Sequence, residues 1–217
     1  MQNYEDIKLE LIKTGKFMME YGLAWGNAGN ISARANEDHY LITASGTFLG
    51  ELEPSDLVRC SVSGQSESYG KKPSKETPMH QAIYQKRPEI NAVLHASPFY
   101  STLIACSNIE IPSNWFVETM YYLERIERVP YCHPGSQVLG EAVAEKAGEA
   151  NILLLENHGV LVYDTSLKEA RMALQTLEMA CKMLVTAKGA NIELEGLAEE
   201  AVKDFLVNAA YKPRRKW

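Results

Sequence analysis

The order of the apolar segments constrains the fold of this chain more than any other feature. Segments with strand patterning come singly or in adjacent pairs, and the helical patterns between them have unequal lengths. A doubly wound parallel sheet needs a regular alternation of strand and helix, which this order lacks. The pattern therefore predicts an α/β fold with a mixed, mostly antiparallel central sheet and helical layers against it.

Turn residues and prolines divide the chain into predicted elements. Residues 30–34 and 39–43 alternate around a turn and predict a β-hairpin. Pro78 suits the first turn of a helix that runs to about Lys86, where Arg87-Pro88 stops it. Residues 151–163 are two apolar runs that form a hairpin or one bulged strand. Further strands are predicted at residues 56–62, 92–97 and 128–132, and helices at residues 1–21, 98–106, 136–148, 166–188 and 197–208.

Length and composition bound the class of protein. With 217 residues and 46% hydrophobic residues, the chain predicts one domain, residues 1–217, that buries a core and is not disordered. Residues 190–217 are expected to form a short C-terminal helix and a basic tail. The net charge of −6 argues against a nucleic-acid partner, and neither a membrane-spanning run nor a signal sequence is visible. The four cysteines show no CxxC spacing, which indicates a reduced, cytoplasmic protein.

Two histidines, His95 and His158, interrupt apolar segments with strand patterning. An imidazole in such a place costs free energy unless it has a partner. A hydrogen-bonded core histidine explains either residue alone, but two of them suggest a shared metal ion, because neutral imidazole is the commonest metal ligand. Glu76 is a possible third ligand. Taken alone, Glu76 is better explained as a carboxylate that the helix dipole favours.

The turn at residues 26–30, Gly-Asn-Ala-Gly-Asn, has two interpretations. Its glycines allow backbone amides to approach an anion, and its asparagines add donors, so it suits a phosphate. A tight turn that needs positive φ angles explains the same residues, and the turn alone favours that explanation. Ser45-Gly46 and Ser74-Lys75 offer further donors and a cation.

Taken together, these motifs resemble a known family. The segments GNAGNISAR, LITASG, PSKETPMHQAIYQKRPEINAVLHAS and LLLENHGVLVY follow the order and spacing of the class II aldolase/adducin family, which includes L-fuculose-1-phosphate aldolase and L-ribulose-5-phosphate 4-epimerase. The likeness runs from about Gly22 to Lys188. It implies a single-domain, three-layer α/β/α fold.

The resemblance also implies roles for individual residues. Glu76 corresponds to the family's acid/base, and it joins His95 and His158 as a ligand of a divalent metal ion, zinc first, with manganese and cobalt as alternatives. Tyr211 corresponds to a tail tyrosine that closes the site, and Glu118 to a second acid/base of the epimerase branch. The implied phosphate and substrate contacts are Asn27, Gly29, Asn30, Ser45, Gly46, Ser74 and Lys75.

One position departs from the family pattern. The usual His-x-His pair is His95-Ala96-Ser97 here, and Ser97 would share a face of the strand with His95. A neutral hydroxyl is a poor zinc ligand. Three outcomes are open. Glu76, His95 and His158 hold the metal ion alone, His133 replaces the missing histidine as a ligand, or the ion is bound weakly or not at all. His80 is expected to support the helix rather than to bind the ion.

The reaction implied first is retro-aldol cleavage of a phosphorylated ketose. The alternatives are 4-epimerisation, dehydration or decarboxylation at the same site, or a non-catalytic module similar to the adducin head. The implied partner is a phosphorylated sugar. The resemblance further implies a homotetramer with sites at subunit interfaces.

Overall fold

The central element of the structure, a computed structural model that describes residues 3–64 and 70–215, is one mixed sheet. Within those ranges its strands are β1 (Asn30–Arg34), β2 (His39–Thr43), β3 (Leu57–Ser61), β4 (Ala92–Ala96), β5 (Ile126–Val129), β6 (Ile152–Leu155) and β7 (Gly159–Asp164). Their order in the sheet is β3-β2-β1-β4-β7-β6-β5. Neighbouring strands are antiparallel except β5 and β6, which are parallel. The predicted mostly antiparallel sheet is confirmed.

Helices cover both faces of the sheet. They are α1 (Tyr4–Glu20), α2 (Thr77–Lys86), α3 (Phe99–Ala105), α4 (Val117–Tyr122), α5 (Gln137–Lys146), α6 (Leu167–Gly189) and α7 (Glu199–Asn208). One core joins α1, α3, α4 and α6 to the sheet, and a second core joins α2 and α5 to the opposite face. This is the predicted α/β/α arrangement. No helix in the described ranges is long and apolar enough to cross a membrane.

Strand β4 lies in the middle of the sheet, and its side chains alternate between the two cores. Leu94 packs in the core of α1, α3 and α6, whereas Val93 packs in the core of α2 and α5. His95 follows Val93 by two residues and therefore shares its face. It is only 2% exposed. The alternation of β4 thus places a buried imidazole on the face covered by α2.

Two segments differ from the sequence prediction, and one ambiguity is resolved. Helix α4 was not predicted, because six residues are fewer than two helical turns and show no clear period. The fifth strand spans Ile126–Val129 rather than residues 128–132, since Glu127 and Arg128 interrupt the apolar pattern of this edge strand. Residues 151–163 contain a β6–β7 hairpin rather than one bulged strand.

Candidate active site

Three side chains from separate elements meet at one place. Glu76 immediately precedes α2, His95 belongs to β4, and His158 occupies the turn between β6 and β7. The Nε2 atoms of His95 and His158 each lie 3.1 Å from a different oxygen of the Glu76 carboxylate. The centroids of the two rings are 4.7 Å apart. One possible ligand atom from each residue therefore lies within 4.8 Å of the others.

The turn that carries His158 depends on the residues on either side of it. Asn157 has a φ of 53°, in the left-handed region that asparagine tolerates better than most residues. A Cβ atom at position 159 would lie 2.6 Å from the carbonyl oxygen of Ala96, so only glycine lets β7 approach the end of β4 this closely. Asn157 and Gly159 thus hold the imidazole of His158 next to that of His95.

A hydrogen bond of His95 shows which nitrogen of its imidazole ring carries a hydrogen. Its Nδ1 atom lies 3.0 Å from the carbonyl oxygen of Val160, which can only accept, so Nδ1 carries a hydrogen. The Nε2 lone pair of a neutral His95 would then face an oxygen of the Glu76 carboxylate. Two electron-rich atoms 3.1 Å apart need a proton or a metal ion between them.

The donor set fits a divalent metal ion. Oε1 of Glu76 is buried and makes no hydrogen bond of good geometry within the described part of the chain. Two imidazoles and one carboxylate form a ligand set typical of catalytic zinc sites, which keep another position open for water or substrate. Among the three outcomes expected from the sequence, this arrangement favours the one in which three residues hold the metal ion without a further histidine. Those residues would be Glu76, His95 and His158.

Glu76 is held as a carboxylate in this environment. Burial by itself raises the pKa of Glu76, but the imidazoles of His158 and His95 outweigh burial and keep the pKa well below its ordinary value. The side chain is 13% exposed, so one edge of the carboxylate still reaches the neighbouring cavity. An ionised, partly accessible carboxylate can both bind a cation and exchange a proton.

A cavity of about 460 Å³ lies beside the three residues. Gly29 has a φ of 92°, and a Cβ atom there would lie 2.7 Å from the carbonyl oxygen of His95, so glycine is required where the turn at residues 26–30 approaches β4. The structure brings together all seven residues predicted to contact phosphate and substrate. The cavity is lined by Asn27, Gly29, Asn30, Ser45, Gly46, Ser74, Lys75, Glu76, His95, Ser97 and His158, among others.

The side chain of Asn30 has a contact that the sequence does not predict. Its Nδ2 atom donates to Oε2 of Glu76 at 2.7 Å, and its Oδ1 atom lies 2.6 Å from Nε2 of His80. The side chain of Asn30 is therefore hydrogen-bonded to the carboxylate of Glu76, although Asn30 also lines the cavity. The only signal for this contact in the sequence is that Asn30 and Ser32, two residues apart, are polar positions on one face of β1.

Ser97 lines the cavity, as expected, but its hydroxyl has a different partner from the one predicted. Its Oγ atom donates to the carbonyl oxygen of His158 at 3.3 Å, whereas the sequence predicts an Oγ that faces the metal position. Ser97 follows the end of β4, so strict strand alternation no longer directs its side chain. The hydroxyl stabilises the turn that carries His158.

Three residues considered at the sequence level lie elsewhere in this chain. His133 is 3.4 Å from the hydroxyl of Tyr131 and does not belong to the cluster of possible ligands. Tyr211 packs 5.7 Å from the ring of Tyr121. Glu118 belongs to α4, in the layer opposite α2. Tyr211 and Glu118 are not among the described residues that line the cavity of their own chain, and their expected catalytic roles stay predictions.

Comparisons with known proteins agree with this architecture. A family model described as Class II Aldolase and Adducin N-terminal domain matches residues 9–185. The chain is similar to the solved structure of YgbL from Klebsiella pneumoniae, with a TM-score of 0.84 and 32% identity, covering 94% of this chain and 99% of that one.

Two curated relatives cover nearly the whole chain. It is 33% identical over 199 residues to a 3-oxo-tetronate 4-phosphate decarboxylase of Haemophilus influenzae, covering 90% of this chain and 93% of the relative. It is 30% identical over 193 residues to an L-fuculose phosphate aldolase of Escherichia coli, covering 89% of each protein. With the family model, these similarities confirm the resemblance seen in the motifs: the chain belongs to the class II aldolase and adducin N-terminal domain family.

Proposed function

We propose that this protein is a metal-dependent lyase that breaks a carbon–carbon bond next to the carbonyl group of a phosphorylated sugar derivative. One observation carries the proposal: Glu76, His95 and His158 meet at the edge of a cavity that also presents Ser45, Ser74 and Lys75. The first three can hold a cation and move a proton. The others offer hydroxyl and ammonium donors for a phosphate group.

Decarboxylation of a 3-oxo sugar acid phosphate is the reaction we place first. The similarity to a 3-oxo-tetronate 4-phosphate decarboxylase favours it. In such a substrate the C1–C2 bond breaks, CO₂ leaves, and the electron pair of that bond moves to C2–C3 as the C3 oxygen takes the negative charge. Glu76, whose accessible edge exchanges protons with solvent, takes up a proton from water and delivers it to C2. The organic product is a triose phosphate.

Each part of the site has a task in this reaction. A divalent ion held by Glu76, His95 and His158 would act as a Lewis acid that stabilises negative charge on the substrate oxygens. Asn27, Ser74 and Lys75 bind the phosphate and keep the charged intermediate in register while CO₂ departs.

Retro-aldol cleavage of a ketose 1-phosphate is the second candidate, favoured by the similarity to an L-fuculose phosphate aldolase. Like decarboxylation, this cleavage leaves the enediolate of a triose phosphate. It also needs a base that removes the proton from the substrate hydroxyl whose oxygen becomes the carbonyl oxygen of the departing aldehyde. Glu76 is the only carboxylate, and no tyrosine occurs, among the described residues that line the cavity. Decarboxylation needs no second base, which is why we rank it above the aldol reaction.

The test is a product analysis on protein purified without chelators. Elemental analysis comes first, and we expect about one divalent ion per chain, zinc before manganese or cobalt. The protein is then incubated with 3-oxo-tetronate 4-phosphate and with a set of ketose 1-phosphates. Release of CO₂ supports the decarboxylase, and release of an aldehyde supports the aldolase. Protein without metal and without turnover would instead support a non-catalytic module of the adducin-head kind.

We propose further that the protein is a homotetramer in which α4 and the tail of one subunit approach the site of another. The family resemblance motivates this assembly, and it agrees with the fact that neither Glu118 nor Tyr211 is among the described residues that line their own chain's cavity. Sedimentation analysis tests the oligomeric state. Loss of 4-epimerase or aldolase activity on replacement of Glu118 or Tyr211 would assign these residues to a shared site.

Replacing Lys75 by alanine is expected to weaken binding of phosphorylated ligands by about tenfold, because the variant loses a cation at the cavity. Lys75 is exposed at the rim, so solvent screening keeps the effect well below that of a buried charge. Affinities for a phosphorylated ligand and its unphosphorylated analogue are compared by calorimetry. Lys72→Ala, at an exposed lysine outside the cavity lining, is the control. Equal losses for both ligands would contradict a phosphate-binding role for Lys75.

Replacing Ser97 by histidine is expected to raise metal affinity by about tenfold or more. Changing a residue that only hydrogen-bonds to a metal ligand already alters metal affinity by about 10- to 100-fold, so an added ligand should have at least this effect. The new imidazole would restore the His-x-His pattern beside His95. Affinity for zinc, manganese and cobalt is measured by competition with a chelator. Ser97→Ala, which removes only the hydroxyl bond to His158, is the matched control. If Ser97→His binds no more tightly than Ser97→Ala, position 97 does not face the ion.

A further inference from the structure

A continuous chain of buried polar side chains leads away from Glu76. Oε2 of Glu76 accepts from Asn30 at 2.7 Å, and the other end of the Asn30 amide lies 2.6 Å from Nε2 of His80. Nδ1 of His80 is 2.7 Å from the hydroxyl of Ser32, which in turn lies 2.9 Å from the hydroxyl of Tyr84. Four hydrogen bonds thus connect the proposed acid/base to the interior.

The direction of every bond in this chain follows from Glu76. An ionised carboxylate only accepts, so Asn30 presents its NH₂ group to Glu76 and its oxygen to His80. His80 must then donate from Nε2, which leaves Nδ1 of the neutral ring as an acceptor. The hydroxyl of Ser32 donates to Nδ1 and accepts from that of Tyr84. One arrangement of hydrogens satisfies the whole chain.

Strand β1 and helix α2 place these side chains next to one another. Asn30 and Ser32 are two residues apart on one face of β1, while His80 and Tyr84 are four apart on one face of α2. Glu76 precedes His80 by a further four residues. The polar groups therefore alternate between strand and helix along the line where α2 packs on β1.

Burial makes this network costly to leave incomplete. Ser32 and His80 are 0% exposed and Asn30 is 6% exposed. Burial, with a smaller contribution from the charge of His95, lowers the pKa of His80 to about 3, and burial also raises the pKa of Tyr84. Both rings are therefore neutral at ordinary pH. Neutral, fully bonded groups of this kind favour one rotamer each.

We propose that Asn30, His80, Ser32 and Tyr84 form a positioning network that holds the carboxylate of Glu76 in its catalytic orientation. This inference rests on the lyase activity proposed above. Asn30 is the link at the cavity, since its amide is hydrogen-bonded to both Glu76 and His80. His80 orients Asn30, and Ser32 with Tyr84 fixes the tautomer of His80.

A pair of amide variants at position 80 tests the network. The amide of His80→Gln can occupy the place of Nε2 and donate to Asn30, whereas the shorter His80→Asn reaches only the place of Nδ1. We expect His80→Asn to lower kcat by about 10- to 100-fold, with KM for the phosphorylated substrate within about threefold of wild type. His80→Gln is expected to recover most of this loss. Equal kcat in the two variants, or a rise in KM without a fall in kcat, would overturn the proposal.

A second pair of variants separates positioning from stability. Tyr84→Phe and Tyr163→Phe each remove one buried hydroxyl from the core of α2 and α5. We expect similar melting temperatures for the two variants but a several-fold fall in kcat for Tyr84→Phe alone, since only Tyr84 bonds to Ser32. A matching fall in kcat for Tyr163→Phe would mean that the network only stabilises the core.

A spectroscopic measurement does not depend on turnover. In ¹⁵N-histidine-labelled wild type, His80 is expected to remain neutral with its hydrogen on Nε2 between about pH 5.5 and 8, where an ordinary histidine titrates. A hydrogen on Nδ1 would contradict the network even in a fully active enzyme. If the wild type turns over none of the substrates, the proposed function fails, while this spectrum still decides the network.

Discussion

Glutamine at position 76 is expected to lower kcat by about 10²- to 10⁴-fold, the usual loss when a proton-transfer group is removed. The amide keeps the size of the side chain, and its oxygen can still accept from Asn30, but it can neither take up nor deliver a proton. Because Glu76 also lies 3.1 Å from both imidazoles, metal content is measured in the same preparation. Steady-state kinetics on the metal-loaded variant give the change in kcat.

The matched control for this variant is Glu156→Gln. Glu156 is a partly buried carboxylate two residues before His158, and it does not belong to the cavity lining within the described residues. We expect its kcat to remain within about twofold of wild type, as for most changes away from a site. Near-normal turnover in Glu76→Gln with full metal content would show that a group other than Glu76 transfers the proton.

Chelation of the metal is expected to reduce turnover by roughly 10²- to 10⁴-fold, since Lewis-acid stabilisation contributes several kcal/mol and each 1.36 kcal/mol is a factor of ten. Added zinc, manganese or cobalt should restore activity to different extents, and the ion that restores most is assigned as the cofactor. Activity is followed through chelator treatment, gel filtration and titration with each ion.

Two histidine variants show whether the effect belongs to the predicted ligands. His158→Ala removes one of the three closely spaced ligand atoms and is expected to lose the metal, whereas His133→Ala, outside this cluster, is expected to keep it. Equal metal content in these two variants would exclude His158 as a ligand. Full activity after complete removal of metal, confirmed by elemental analysis, would reject the metal-dependent mechanism.

Much of the fold follows from local patterns along the chain. The hairpin of β1 and β2 has the predicted bounds, and Pro78 marks the start of α2 as expected. Period-two alternation in β4 indicates that His95 and Val93 share a face. These features depend on residues within a few positions of each other, so turn chemistry and side-chain periodicity are sufficient to predict them.

Most residues of the candidate site could also be predicted from the sequence motifs. Histidines in apolar segments indicate His95 and His158, and the family resemblance adds Glu76. The turn at residues 26–30 and Ser74 were predicted to share a pocket, and the structure places them around one cavity. Their chemical roles stay predictions until the variants above are measured.

Other features depended on tertiary structure. The order of strands in the sheet, the parallel pairing of β5 with β6, and the bonds from Asn30 to Glu76 and His80 join residues that are far apart in sequence; the two bonds of Asn30 span 46 and 50 positions. The polarity of a side chain shows that it needs a partner when buried, because an unpaired polar group costs free energy. Which partner it finds is decided by the packing of α2 on β1, a contact between whole elements that local sequence patterns do not encode.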